Sequence, residues 1–138
     1  MTRTEWLALA ERCEAATGPD TELDAAIACA VHGWTQISEE IDPYGDVPML
    51  IDRDGGGPMI PCEYTASIDA ITALIERDLP GGAWSAGMGC VRPDEPVAGA
   101  RLFSAESRYF CIGEAEGRSP ALALCAAFCR AKAERAET

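Results

Sequence analysis

Three consecutive strand-like segments between two helical segments constrain the fold of this chain more than any other feature. They read "AWSAGMGCV" (83–91), "VAGARLF" (97–103) and "RYFCIGEA" (108–115). The links between them are short enough to join antiparallel neighbours, so the pattern predicts a three-stranded meander. A meander with so many small residues must cover its apolar face with helices from elsewhere in the chain.

Apolar residues three and four positions apart predict four helices. The first two form an N-terminal hairpin around Gly18-Pro19, and Asp20 or Thr21 caps the second helix, which ends near His32-Gly33. The third is capped by Ser67 or Thr65 and runs from Ile68 to Leu79 before Pro80-Gly81-Gly82. A fourth begins at Ser119-Pro120 with Leu124, Cys125 and Phe128 on one face, and the charged residues 133–138 are predicted to fray.

The segment between the second and third helices, residues 37–62, is acidic and irregular. It is compatible with a loose hairpin that pairs Met49–Ile51 with Met59–Cys62, and its prolines would keep this hairpin at a sheet edge. Residues 52–63 resemble a calcium-binding loop at a few positions. Gly56 in place of an oxygen ligand, and prolines inside the loop, argue against calcium.

Together these elements predict a single α+β domain spanning residues 1–138. The predicted architecture is an α/β/α layered sandwich. Its central antiparallel sheet consists of the three-stranded meander and the loose hairpin, and it carries an N-terminal helical hairpin. At 138 residues the chain is long enough to form a hydrophobic core without disulfides or a metal ion.

The charge of the chain restricts its partners. Acidic residues outnumber basic ones 23 to 11, which gives a formal net charge of −12. This excess argues against nucleic-acid binding, which rewards clustered Lys and Arg, but it is compatible with a basic protein partner. No run of 18 apolar residues and no signal peptide is present, so the sequence predicts a cytoplasmic protein without membrane association.

The cysteines and the single histidine supply no clear reactive or metal-binding motif. Seven scattered cysteines without a C-x-x-C spacing are typical of reduced core thiols, and one histidine excludes a multi-His metal site. His32 lies at a helix end, where a partly protonated imidazole suits the helix dipole. The sequence therefore predicts no metal, no cofactor and no assigned catalytic residue, with a His32-dependent hydrolase as an alternative.

A group of arginines near the meander is the best candidate for binding an anion, with aromatic rings as stacking surfaces. The exposed N–H groups at the start of the third helix could assist. A competing interpretation pairs these arginines with nearby Glu and Asp residues. The candidate ligand-binding residues are Tyr64, Ser67, Trp84, Arg92, Arg101, Arg108 and Tyr109.

Most of the chain outside residues 37–60 also resembles small phage and prophage proteins of the phage ABA sandwich family. The residues that carry the resemblance are "LAERCEAATGPDTELDAAIA", "YTASIDAITALI", the Pro80-Gly81 stop, "AWSAG" and "AEGRSPALALCAAFCRA". The resemblance implies an α/β/α sandwich of phage origin. It implies no established activity, and there are no catalytic residues to carry over.

The resemblance and the lack of a catalytic motif favour a non-enzymatic, phage-type accessory binding protein in the bacterial cytoplasm. In one hypothesis it antagonises host defence by sequestering a small nucleotide-like signal, in a pocket that could lie between subunits of a homo-oligomer. In the alternative, it is an acidic inhibitor or DNA mimic that binds a basic host protein. A small hydrolase using His32 is a further alternative.

Overall fold

Four helices and five strands make up the part of the chain that the computed structural model describes, which is residues 1–36, 50–51, 61–92, 95–106 and 111–136. In chain order, the elements are α1 (Arg3–Ala15), α2 (Thr21–His32), β1 (Thr35–Gln36), β2 (Leu50–Ile51), α3 (Ile68–Asp78), β3 (Ala83–Arg92), β4 (Glu95–Phe103), β5 (Cys111–Gly117) and α4 (Pro120–Arg135).

The predicted antiparallel meander is confirmed. Strands β3, β4 and β5 form a sheet in that order, with Arg101 of β4 opposite Ser85 of β3 on one side and opposite Glu114 of β5 on the other. Because side chains alternate between the two faces of a strand, this register places these three side chains on the same face. The opposite face carries the apolar residues of β4, of which Leu102 is almost fully buried.

The second, smaller sheet differs from the predicted hairpin. Leu50–Ile51 pairs antiparallel with Thr35–Gln36, whereas the prediction paired Met49–Ile51 with Met59–Cys62. Pro61 and Cys62 belong to no strand. Proline has no N–H group for a strand ladder, which disfavours pairing at this position. The remaining residues of the predicted hairpin, and positions 52–60 of the calcium-like loop, lie outside the described residues.

Helix α4 forms the centre of the core. Every residue from Ala121 to Cys129 is buried, because α4 packs on β4 and β5 with one side and on α1 and α3 with the other. Its alanines let these neighbours approach closely on all sides. The helix continues to Arg135 with Ala133 fully buried, so the predicted fraying from residue 133 is wrong as far as the described residues reach.

The α+β class and the N-terminal pair of helices are confirmed, but the layers are ordered differently from the predicted sandwich. The helices lie on one face of the three-stranded sheet, where α4 packs between the sheet and α3, and α1 packs mainly on α4 and also contacts β5. On the other face, most of the described positions are exposed, among them Ser85, Arg101, Glu114 and Glu116, while Val97 and Phe103 are half-buried. Within the described residues, the order is therefore sheet, α4, outer helices.

A buried polar link joins α2 to the turn before α3. Asp20 caps α2 by accepting hydrogen bonds from the N–H groups of Glu22 and Leu23 at 2.9 and 3.1 Å. Asp24, in the first turn of α2, makes the link, because its Oδ1 accepts hydrogen bonds from both the N–H and the hydroxyl of Thr65, each at 2.8 Å. Burial raises the pKa of Asp24, and the bonds from Thr65 act in the opposite direction.

The described cysteines include three core residues, two exposed residues and the half-buried Cys29. Cys13, Cys125 and Cys129 are fully buried between α1 and α4, as predicted for core thiols, whereas Cys62 and Cys111 are exposed. Burial raises the pKa of the Cys125 thiol, which keeps it protonated and unreactive. None of the helices in the described ranges is both long enough and apolar enough to cross a membrane.

Candidate functional site

The predicted ligand-binding residues do not form one cluster. Tyr64 and Ser67 lie at the start of α3, whereas Trp84 and Arg101 lie on opposite faces of the sheet. Arg92 is the last residue of β3, but its side chain is outside the described part of the structure, as are Arg108 and Tyr109 entirely. The described residues therefore do not assemble the predicted nucleotide-like pocket.

Tyr64 is a core residue and offers no stacking surface. Its side chain is 4% exposed, and its backbone carbonyl accepts a hydrogen bond from the Cys125 thiol at 3.3 Å. Burial, followed by the neighbouring Cys62, raises the pKa of the Tyr64 phenol, which keeps the hydroxyl protonated. The prediction of Tyr64 as a ligand-stacking residue is wrong.

Ser67 acts as the predicted helix cap. Its hydroxyl oxygen accepts a hydrogen bond from the N–H of Ala70 at 3.2 Å, and Ser119 does the same for Leu122 at the start of α4. Each serine thus satisfies one of the N–H groups that a helix start leaves free. This geometry supports a capping role for Ser67 and adds no argument for a ligand.

Arg101 is paired, in agreement with the competing interpretation of the arginines. Its Nε lies 3.2 Å from Oε1 of Glu114, which is its cross-strand neighbour, and both side chains are about 60% exposed. The pair borders a shallow depression of about 430 Å³ whose floor is formed by Gly87 and Gly99. Glu116 adds a second carboxylate, so this surface does not favour an anion.

Among the predicted site residues whose side chains the structure describes, Trp84 at the edge of β3 is exposed and is not in an ion pair or a helix cap. Trp84 and Met88 lie on the helix-facing side of the sheet, opposite Leu102 and Ala98 of β4. Since α4 packs mainly on β4 and β5, these two side chains stay 39% and 55% exposed. Within the described residues, β3 pairs with a strand on only one side.

The unpaired edge of β3 in the described structure is of the kind to which strands can add. Backbone N–H and C=O groups on the unpaired side of an edge strand can hydrogen-bond to an added strand, and the exposed apolar side chains can bury part of it. The sequence showed that Trp84 and Met88 alternate with small residues. Only the position of α4 in the structure shows that the helix leaves the side chains of this strand exposed.

A second cluster surrounds His32, which ends α2 as predicted. Its ring stacks on Trp34 with centroids 4.1 Å apart and planes 22° apart, and Nη1 of Arg77 lies 2.8 Å from its Nδ1. Burial and, after it, the Arg77 charge lower the pKa of His32, which acts against the partly protonated imidazole that the sequence predicts. Nothing in the sequence indicated Arg77, which is 45 positions away.

The His32 cluster does not resemble a hydrolytic site. A general base needs a ring nitrogen free to take a proton from a nucleophile, usually with a carboxylate behind the ring. Here Nδ1 faces Arg77, and Nε2 lies 3.5 Å from the Tyr64 hydroxyl. Across the described residues, no group of three or more His, Cys, Asp or Glu side chains could hold a metal ion.

Comparisons of the chain with protein-family models, with curated proteins and with solved structures find no match.

Proposed function

We propose that this protein is a non-enzymatic, phage-type accessory protein that inhibits a basic host protein by binding one of its extended segments along the edge of β3. The observation that carries the proposal is the exposure of Trp84 and Met88 on an edge strand, next to a core that is otherwise closed by α4. Its phage-type role as a host-defence antagonist is proposed on the resemblance to phage ABA sandwich proteins.

The shape of the β3 edge supports an extended segment as the ligand. Strand β3 is ten residues long, and eight of these pair in unbroken register with β4 from Ala83 to Cys90. A regular strand of this length can form several main-chain hydrogen bonds to an added strand. Trp84 and Met88 are four residues apart on one side, which spaces their contacts for side chains about four residues apart on the same face of the bound segment.

The charge of the chain supports a basic partner. With a net charge of −12, the protein attracts cationic proteins over distances of about a Debye length, ~8 Å at physiological salt, and repels acidic ones. Such attraction accelerates association, while the edge contact with Trp84 and Met88 provides specificity. A bacterial cytoplasm, where its thiols would stay reduced, is the compartment that we propose.

Sequestration of a nucleotide-like signal has less support. That function needs arginine and aromatic side chains to converge, but Trp84 and Arg101 lie on opposite faces of the sheet, and the Arg101 guanidinium already pairs with Glu114. Tyr64, the other described aromatic candidate, is buried. We therefore favour the protein-binding alternative.

The test is an NMR titration of the ¹⁵N-labelled protein with a nine-residue peptide of alternating valine and lysine. We expect saturable shifts of the backbone amides of residues 83–88, and weaker binding at high salt. A peptide with proline at its central position should bind much more weakly, because proline cannot donate to a strand ladder. The double variant Trp84→Ser/Met88→Ser should lose the shifts, and Arg101→Ala on the opposite face should keep them.

Two outcomes would overturn the proposal. One is saturation of β3 amide shifts by the proline peptide as strongly as by the parent peptide, which would indicate charge attraction alone. The other is a set of lysine-peptide shifts confined to acidic surfaces away from β3, or no saturable shift at all.

A further inference from the structure

The edge of β3 lacks the features that usually keep strand edges of two molecules apart. Residues 83–91 contain no charged residue and no proline, although the chain has 23 acidic residues and nine prolines. Native proteins commonly protect an exposed edge with a charge, a proline, a bulge or a short strand. Here the pairing with β4 is regular from Ala83 to Cys90, and its one irregularity lies at the end of the strand, between Cys90 and Arg92.

The other edge strand of the sheet, β5, is protected differently. It carries Glu114 and Glu116, and both α1 and α4 contact it. Two copies of so acidic a chain repel each other wherever their carboxylates meet. A second copy that approaches residues 83–91 of β3 meets no like charge on the strand itself.

The exposed side chains of β3 are arranged symmetrically about Ala86. Trp84 and Met88 lie two residues to either side of it, on the same face of the strand. When two copies of β3 pair antiparallel with Ala86 opposite Ala86, Trp84 of each copy lies opposite Met88 of the other. No other antiparallel register has this property. Directly opposed residues have Cβ atoms about 4.5–5.5 Å apart, which brings the thioether sulfur to the indole ring.

We infer that β3 pairs with β3 of a second copy around a two-fold axis at Ala86, and that this pairing competes with the basic segment for the same edge. The pairing joins two three-stranded sheets into one of six strands. It closes at two copies, because each copy contributes its β3 edge once. The competition rests on the proposed function, whereas the pairing itself does not.

Burial favours the dimer, and net charge opposes it. Trp84 and Met88 are 39% and 55% exposed in one copy, and the two-fold pairing covers both of them. The Ala86 side chains at the axis are too small to hold the two strands apart. The charge of −12 on each copy acts against association. The dimer therefore forms at high protein concentration, and the edge is open in dilute protein.

Salt separates the dimer from the proposed complex with a basic protein. Screening weakens the repulsion between two acidic copies, and it also weakens the attraction between an acidic protein and a basic segment. Added salt should therefore strengthen the dimer and weaken binding of the valine-lysine peptide. At a fixed salt concentration at which half of the chains are paired, the apparent Kd of the peptide should be about twice that of dilute protein.

The test combines sedimentation velocity with isotope-filtered NMR on the full chain. We expect monomers at low concentration, dimers but no larger species at high concentration, and more dimer at high salt. In an equal mixture of methyl-¹³C-methionine-labelled and unlabelled protein, the Met88 methyl group should show a nuclear Overhauser effect to the Trp84 ring of the other copy. The double variant Trp84→Ser/Met88→Ser should stay monomeric, and Arg101→Ala on the opposite face should dimerise like the wild type.

Three outcomes would overturn the inference: monomers at every protein and salt concentration, a dimer without the contact between Met88 and Trp84, or a dimer that the double variant retains. Peptide shifts at β3 in a protein that never dimerises would leave the proposed function intact and refute the pairing. A dimer with the expected contact, whose β3 amides do not respond to the peptide, would confirm the pairing and contradict the proposed function.

Discussion

Strands β3 and β5 belong to the same sheet, but α4 packs closely on β5 and only marginally on β3. The helix-facing positions of β5 are Gly113, Ala115 and Gly117, and all three are buried under α4. Their counterparts on β3 include Trp84 and Met88, which are partly exposed. Small residues thus allow a helix to lie directly on the β5 backbone, while larger ones mark the strand that the helix leaves uncovered.

The glycines of the sheet also show where α4 packs closely on the backbone. A Cβ atom at Gly113 would overlap the Ala127 carbonyl oxygen of α4, and one at Gly117 would lie 2.8 Å from the Ala123 nitrogen. Gly87 and Gly99, on the other face of the sheet, have no atoms within 4 Å of such a position. Glycine is therefore required for close packing in β5, and no contact in the described structure requires it at residues 87 and 99.

The largest predicted effect is the destabilisation by Gly113→Ala. We expect it to lower the free energy of unfolding by about 3 kcal/mol, because the new methyl group forces α4 away from β5. Urea unfolding followed by circular dichroism measures this change. The matched control, Gly99→Ala, adds the same methyl group to open space and should change stability by no more than about 0.5 kcal/mol. Equal stabilities of the two variants would refute the close packing of α4 on β5.

A smaller effect is expected at Asp24, which fastens α2 to the turn before α3. Asp24→Ala leaves the buried N–H of Thr65 without an acceptor, while the hydroxyl keeps the Asp20 carbonyl oxygen at 3.3 Å, and the change should cost about 2 kcal/mol. Asp24→Asn keeps an acceptor oxygen and should cost less.

The pH dependence of the Asp24 variants provides a second measurement. Because the pKa of Asp24 is raised above 3.8, the folded protein binds more protons than the unfolded chain between the two values. The wild type should therefore lose stability relative to Asp24→Asn as the pH rises through this window. A relative stability that is constant or that rises with pH would contradict the raised pKa.

The smallest effect is expected on the exposed face of the sheet, at Arg101. Since both Arg101 and Glu114 are well exposed to water, Arg101→Ala should cost only about 0.3 kcal/mol, and high salt should abolish the difference. The measurement is again urea unfolding, at low and high salt. A loss above about 1 kcal/mol would mean that this face is packed against another part of the molecule.

Local signals made the helices and strands predictable. Ser67 and Ser119 were identified as caps because a helix start needs an acceptor within three residues, and the meander followed from alternation and short links. By contrast, the spacing of Leu124, Cys125 and Phe128 indicated only one buried face of α4. Alanines fit both a surface and a core, so the sequence did not show that α4 is buried on all sides.

The candidate sites were less predictable because they depend on contacts between distant residues. Thr65 bonds to Asp24 across 41 positions, and Arg77 reaches His32 across 45. Neither pair has a spacing that a sequence pattern can indicate. The predicted anion site failed for a different reason. Arg101 and Trp84 lie on neighbouring strands of the same sheet, but their side chains are on opposite faces.

Oxidative footprinting of the free and peptide-bound protein, read by mass spectrometry, tests the central claim that the β3 edge is open and binds a basic strand. The account predicts rapid oxidation of Trp84 and Met88 in the free protein, little oxidation of the buried Trp6, and protection of Trp84 and Met88 by the valine-lysine peptide. Oxidation of Trp84 and Met88 as slow as that of Trp6 in the free protein, or equally fast with saturating peptide, would contradict it.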